Sequence, residues 1–166
     1  MAQGLLIKPA DLKKFTTING NVDDDLIIQY IKIAQDIHLQ NILGTDLLDK
    51  LDADVVTSTL AGNYSTLVSK WIKPCLVHWA LVEYLPFASI TIADKGVYKH
   101  TSENAQNVEK NEMDSLVEKH RDTAEHYSAR LIKHLCNNND LYPEYLTNSD
   151  DDMRPDSDVT FSGWFL

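Results

Sequence analysis

Apolar positions along this chain fall into helical blocks separated by polar, glycine-bearing breaks. Over residues 24–43 the apolar set (Leu26, Ile27, Ile28, Tyr30, Ile31, Ile33, Ala34, Ile37, Leu39, Ile42) covers most of a helical wheel. The polar residues Asp25, Gln29, Lys32, Asp36 and Gln40 keep to one narrow strip. A helix with so little polar surface must be covered on several sides. Asp23 is its natural N-cap, and Asp24 and Asp25 sit where the helix dipole favours anions. The triple Asp lacks the alternating ligands, turn glycine and distal Glu of a calcium loop. At the other end Gly44 supplies a left-handed residue after the last turn, and Thr45 is expected to cap a short helix over "DLLDKLDADV".

A further helix is predicted from about 64 to 85, apolar nearly all round except for a thin strip marked by Ser69 and Lys73. Pro74 lies inside it. A proline there removes one backbone donor and clashes with the preceding turn, so a kink or a division is expected. Pro86 ends the regular part. The polar stretch "ADKGVYKHTSENAQN" then reads as a long connection, of a length that in compact domains usually has a task. The last helix, about 108–136, has a single apolar stripe through Met113, Leu116, Val117, Ala124, Tyr127, Leu131 and Leu135, with His120 in its middle. It is a peripheral helix with one buried side. Ahead of all these, "GLLIKPADLKKF" reads as a short extended piece and a short helix with Pro9 in its first turn. The predicted fold is all-α: a small bundle of four to five helices over residues 1–139, a long inter-helix loop, and an extended acidic and aromatic arm over 140–166.

Composition sharpens this in three ways. With 166 residues and 43% apolar content, the chain can bury one core. The net charge of −10, of which residues 140–158 carry −6, opposes non-specific binding to nucleic acid, which needs Lys and Arg against phosphates. A helix-turn-helix is excluded on the same ground, because its second helix would carry four acids and one base. The acidic block is the kind of sequence that is solvated and poorly ordered when free. Cys75 and Cys136 fall inside apolar patterns and are expected to be reduced and buried. The N-terminal stretch has too short an apolar run for a signal peptide, and "PCLVHWALV" is far short of a membrane span. An intracellular or particle-associated soluble protein is expected.

Candidate chemistry is sparse. None of the six histidines has Glu three positions before it, and the zinc-helix, Cys-x-x-Cys, phosphate-loop and nucleophile-elbow patterns are absent. His38, His78 and His120 fall on three different helices and would make a metal site if all three pointed inward. The simpler expectation is that each is a core or interface histidine bonded to backbone or a hydroxyl. Glu83 would serve as an acid or base, or as an ordinary interface carboxylate. Lys95, Lys99 and His100 would contact an anion from the long connection, or be solvated.

The stretch "LLIKPADLKKFTTINGNVDDDLIIQYIKIAQDIHLQNILGTDLLDKL", followed by "IKPCLVHWALVEYLPFASITIADKGVYKHTSENAQ", "EKHRDTAEHYSARLIKHLCNNNDLYPEY" and the closing "FSGWFL", resembles a family of head–tail connector (adaptor) proteins. That family is known from tailed bacteriophages and prophages of gut Bacteroidota, crAss-like phages among them. The acidic stretch around 148–158 is the least typical part. The resemblance implies a structural virion protein of the phage neck, without catalytic residues, metal or cofactor. It would form a homo-oligomeric ring, a dodecamer in the particle, beneath the portal protein and above the next tail or adaptor ring. DNA would pass through without specific binding, and no membrane is involved. The excess apolar circumference of the two long helices fits subunit contacts. Residues of the long connection (Lys95, Val97, Tyr98, Lys99) and of the arm (Tyr142, Tyr145, Phe161, Trp164, Phe165, Leu166) are the expected interface. The competing expectations are a small metal protein or enzyme built on the three histidines, and a bacterial scaffold that binds protein partners outside any virion.

Overall fold

The computed structural model describes residues 4–18, 20–88, 90–93, 96–99 and 110–157. Its architecture is all-helical, as the apolar periodicity predicts. Helix α1 spans Pro9–Phe15. Helix α2 runs over 24–43 and is α-helical over Asp24–Ala34, π-helical over Gln35–Leu39 and α-helical again over Gln40–Leu43. Helix α3 is Thr45–Val56. Helix α4 covers 62–84, with an α-turn at Gly62–Thr66, a π segment at Leu67–Ile72 and an α-helix over Lys73–Tyr84, and it ends in a 3-10 turn, Leu85–Phe87. Helix α5 is Lys110–Asn137.

Helix α4 is the hub, packed along α2 on one side and α5 on the other. Cys75, Leu76, Val77, Ala80 and Leu81 on its second half are all at most 2% exposed, which is why its sequence shows no polar face. The proline inside it does not break it. A missing donor at Pro74 and a ring that needs room are both accommodated by the π segment just before, where the Lys73 N–H reaches back five residues to the Val68 carbonyl. Helix α5 is buried on one side from Ala124 onward, at Leu131, Ile132 and Leu135. Its first half is looser: Leu116 is exposed, and Met113 and Val117 are half-buried.

The start of the described chain is held by one buried amide. Gln35 is fully buried; its Oε1 accepts from the Leu6 N–H at 3.2 Å, and its Nε2 donates to the Gly4 carbonyl at 3.0 Å and to Asp52 Oδ1 at 2.9 Å. Removing that side chain would leave two buried backbone groups without partners, worth about 1–3 kcal/mol each. Burial pushes the Asp52 carboxyl up to about 6, and the nearby Lys32 partly opposes this.

Three expectations need correcting. The long connection contains a two-stranded antiparallel hairpin, β1 (Ile90–Ala93) and β2 (Gly96–Lys99), with Ile90 opposite Lys99 and Ala93 opposite Gly96. The alternation in "ITIA" and "GVYK" is too short to stand out from a polar background. Cys136 is exposed, while Cys75 is buried, and both are free thiols. Helix α3 is capped by Gly44, not by the Thr45 side chain. Gly44 does have positive φ, as expected, but with extended ψ (75°, 163°). Asp23 caps α2 as predicted, accepting from the Asp25 N–H at 3.0 Å.

Candidate functional site

Residues 140–157 do not form a free arm. Two 3-10 turns, Asn139–Leu141 and Pro143–Leu146, bring Tyr142 and Tyr145 into the core, each 2% exposed. The chain then crosses the corner between α2 and α3. The Thr45 N–H, an open donor at the start of α3, is satisfied by the Met153 carbonyl at 3.0 Å, and the Asp156 N–H donates to the Asn41 carbonyl at 2.7 Å. Thr45 Oγ1 donates to Asp152 at 2.9 Å and accepts from the Met153 N–H. Asp46, in the first turn of α3, accepts from the Ser149 backbone and hydroxyl and from the Thr147 hydroxyl. These bonds, those from Ser149 foremost, hold its carboxyl below the usual range. Part of the acidic block is thus tied to the start of α3, through the Met153 carbonyl on the Thr45 N–H and Asp152 on the Thr45 hydroxyl. Tyr142 and Tyr145, expected at an interface, are core residues of the chain itself.

The candidate histidines separate into two places. His38, on the π segment of α2, bonds Glu83 through Nε2 at 2.8 Å and stacks on Trp79 at 3.8 Å between centroids. Trp79 Nε1 donates to Ser128 Oγ at 3.0 Å, and the Cys75 thiol lies 3.2 Å from the same oxygen. Ser128 gives its own proton to the Ala124 carbonyl at 2.8 Å. Burial pushes the Cys75 thiol up to about 12, so it is held protonated and is no nucleophile at neutral pH. This chain of contacts ties α2, α4 and α5 together.

His78 and His120 meet elsewhere, Nδ1 to Nδ1 at 3.2 Å, one ring donating to the other, with His78 also stacked on Tyr127. Burial lowers both imidazoles, and His120 lowers His78 further. Beside them opens a cleft of about 350 Å³ between Phe15 of α1, Lys73, Pro74 and Val77 of α4, and Tyr127 of α5. The three-histidine constellation is thus two histidines and a separate His–Glu pair. Among the described residues no group of three or more His, Cys, Asp or Glu is arranged to hold a metal.

Among the described residues, an apolar surface on α2 is also left uncovered. Leu26, Ile33 and Ile37 are 40%, 38% and 51% exposed, and with the half-buried Tyr30 they follow each other at helical spacing along one face of α2. Phe87, 49% exposed, stacks on Tyr30 at 5.8 Å and widens the stripe. Sequence reading found the excess apolar circumference of α2 but placed the expected contacts elsewhere. Of those, Val97, Tyr98 and Lys99 lie in β2, whereas Lys95, Phe161, Trp164, Phe165 and Leu166 lie outside the described residues, as does the anion candidate His100. Among the described residues no helix is long and apolar enough to cross a membrane.

Residues 39–153 match the model of a family of unknown function, DUF6712. No curated protein and no solved structure matches the chain.

Proposed function

We propose that this chain, which belongs to the DUF6712 family, is a structural subunit that packs side by side with copies of itself in the connector ring of a tailed-phage neck, beneath the portal. The observation that carries this reading is the apolar stripe of α2. Leu26, Ile33 and Ile37, with the half-buried Tyr30 between them, make a water-facing row along α2 that Phe87 widens from the end of α4. Contiguous patches of this kind, rimmed by polar residues, mark protein–protein contacts. The sequence resemblance to phage connectors supplies the setting, and the protonated Cys75 and committed Ser128 hydroxyl favour a structural role over a catalytic one. A net charge of −10 suits a conduit, since an acidic wall repels DNA phosphates instead of trapping them.

The test is sedimentation over a wide concentration range, for the whole chain and for the chain without residues 158–166. Higher-order species are expected as concentration rises, and Ile33→Asp with Ile37→Asp is expected to abolish them while the helical circular dichroism is kept. A monomer at every concentration in both chains, or assembly indifferent to the two aspartates, refutes the reading.

A further inference from the structure

We propose that the seam between α4 and α5 receives the acidic corner between α2 and α3 of the next copy of the chain, so that each subunit joins its neighbour head to tail. This contact rests on the assembly reading above and names the two surfaces that meet.

The seam is where bases collect in an acidic chain. Over residues 55–82 and 126–139 the sequence has Lys70, Lys73, Arg130 and Lys133 and neither Asp nor Glu. Lys73 is taken by Asp11 at 2.9 Å. Lys70, Arg130 and Lys133 are exposed, and among the described residues none of the three makes an ion pair. Their footing is aromatic. Trp71 stacks on His134 at 4.2 Å, with Lys70 Nζ 5.2 Å and Arg130 Cζ 5.4 Å from its ring centre. Arg130 Cζ also lies 5.8 Å from the centre of the Tyr127 ring. A guanidinium seated over two rings has already lost much of its freedom, and its N–H fork is left for a carboxylate. Tyr127 is shared with the cleft that Phe15, Pro74 and Val77 line, so the bases border an apolar hollow.

Charge and position point to a second copy as the occupant. The corner between α2 and α3 carries the opposite sign. Asp49, Asp150, Asp151 and Asp152 are exposed there. Asp49 is held above the usual carboxylate range, by its partial burial first and then by Asp150, Asp46 and Asp152. Among the described residues no ion pair joins this corner to the seam. The corner begins one turn beyond Ile37, where the apolar stripe ends: the Asp156 N–H is bonded to the Asn41 carbonyl and Asp152 to the Thr45 hydroxyl. Each face therefore sets a charged part beside an apolar part, with the sign reversed between them. Two different faces are also what a ring needs, since a face that met only itself would close at a pair. A nucleic-acid strand is the competing polyanion. It would stack its bases on free aromatic faces, whereas Trp71 is taken up by His134 and the two cations, and a net charge of −10 opposes it.

The experiment uses the full chain. Sedimentation over a range of concentrations compares wild type with a seam variant, Lys70→Glu with Arg130→Glu, and a corner variant, Asp49→Lys with Asp150→Lys. A control, Lys110→Glu with Lys119→Glu, changes the net charge as the seam variant does but lies earlier on α5. All these residues are exposed, and circular dichroism checks that the helices are kept. The seam and corner variants are each expected to assemble about tenfold more weakly, because like charges then face one another, and the control to assemble as wild type does. Mixed in equal amounts, the seam and corner variants should assemble together again, since each then offers the other its complement at both faces. Assembly indifferent to either reversal, an equal loss in the control, or no recovery on mixing overturns the proposal. So does wild-type binding of a single-stranded oligonucleotide that the seam variant loses while its assembly is kept. If the stripe aspartates Ile33→Asp and Ile37→Asp abolish assembly but the charge reversals leave it intact, the assembly reading stands and only the seam contact fails; a monomer at every concentration refutes both.

Discussion

Replacing Gly44 with alanine tests the corner on which the structure turns. Two effects add. Gly44 sits at φ 75° and ψ 163°, a region open to glycine and costly for an L side chain by about 1–3 kcal/mol. The new Cβ would also lie 2.8 Å from Pro155 Cδ, 3.1 Å from Pro155 N and 3.3 Å from the Met153 carbonyl. Backbone cannot swing aside as a flexible side chain can, so the crossing segment must move off. The bonds from Thr45 to Met153 and from Asp156 to Asn41 then weaken, each worth about 1 kcal/mol. Together, Gly44→Ala is expected to destabilise the fold by about 3 kcal/mol, lowering the melting temperature by about 10 °C. Urea unfolding followed by circular dichroism measures the first, thermal melting the second. The two causes are separable in a Pro155→Ala background, where the nearest clashing atom is gone and the loss should shrink by about 1 kcal/mol. A loss below about 1 kcal/mol, or the same loss in both backgrounds, would refute the close crossing of the two segments.

Two further outcomes follow from buried ionisable groups. The Asp52 carboxyl titrates higher in the folded chain than in the unfolded one, so the fold binds the extra proton between about pH 4 and 6, and stability falls as pH rises through that window. Asp52→Asn is expected to remove this slope and to stabilise the protein at pH 7.5, by about 1 kcal/mol once solvent screening is allowed for, read from urea unfolding at pH 4.5 and 7.5. A variant that is no more stable at pH 7.5 would contradict this. His78 and His120 are depressed, so their contribution is present above the unfolded imidazole value near 6.5 and is lost as pH falls through their folded values. His120→Asn should flatten the loss of stability between pH 7 and 5 relative to wild type, and an unchanged slope would show that the pair is not buried together.

The helices were legible because each buries a face with the helical period. The wheel of α2 gave the surplus of apolar positions and most of the exposed polar strip: Asp25, Gln29 and Asp36 are exposed, and Lys32 and Gln40 half-buried. What sequence missed came from long-range geometry. Gln35 looks like any polar residue on an amphipathic helix, and its part in holding Gly4 and Leu6 depends on the irregular segment before α1 lying beside α2. The π segments shift the register by one residue without any residue type that announces it, although Pro74 in α4 hints at the strain. Asp46, Thr147 and Ser149 are ordinary surface residues until the chain brings them together; acidity in the block 140–157 suggested a solvated arm, whereas the open donors at the start of α3 give it a place. The three histidines could not be sorted from sequence because a helical wheel says which face a residue takes and not which neighbour it meets.

The Thr45–Met153 bond also orders events in time. The first turn of α3 is completed by a residue 108 positions later in the chain. At a synthesis rate of about 5–20 residues per second, the corner waits on the order of 5–20 s on the ribosome for its closing piece. During that interval a helix start with an unmet donor and a bare apolar row on α2 face water together, and a message that stops short of codon 153 would leave its product in that state for good.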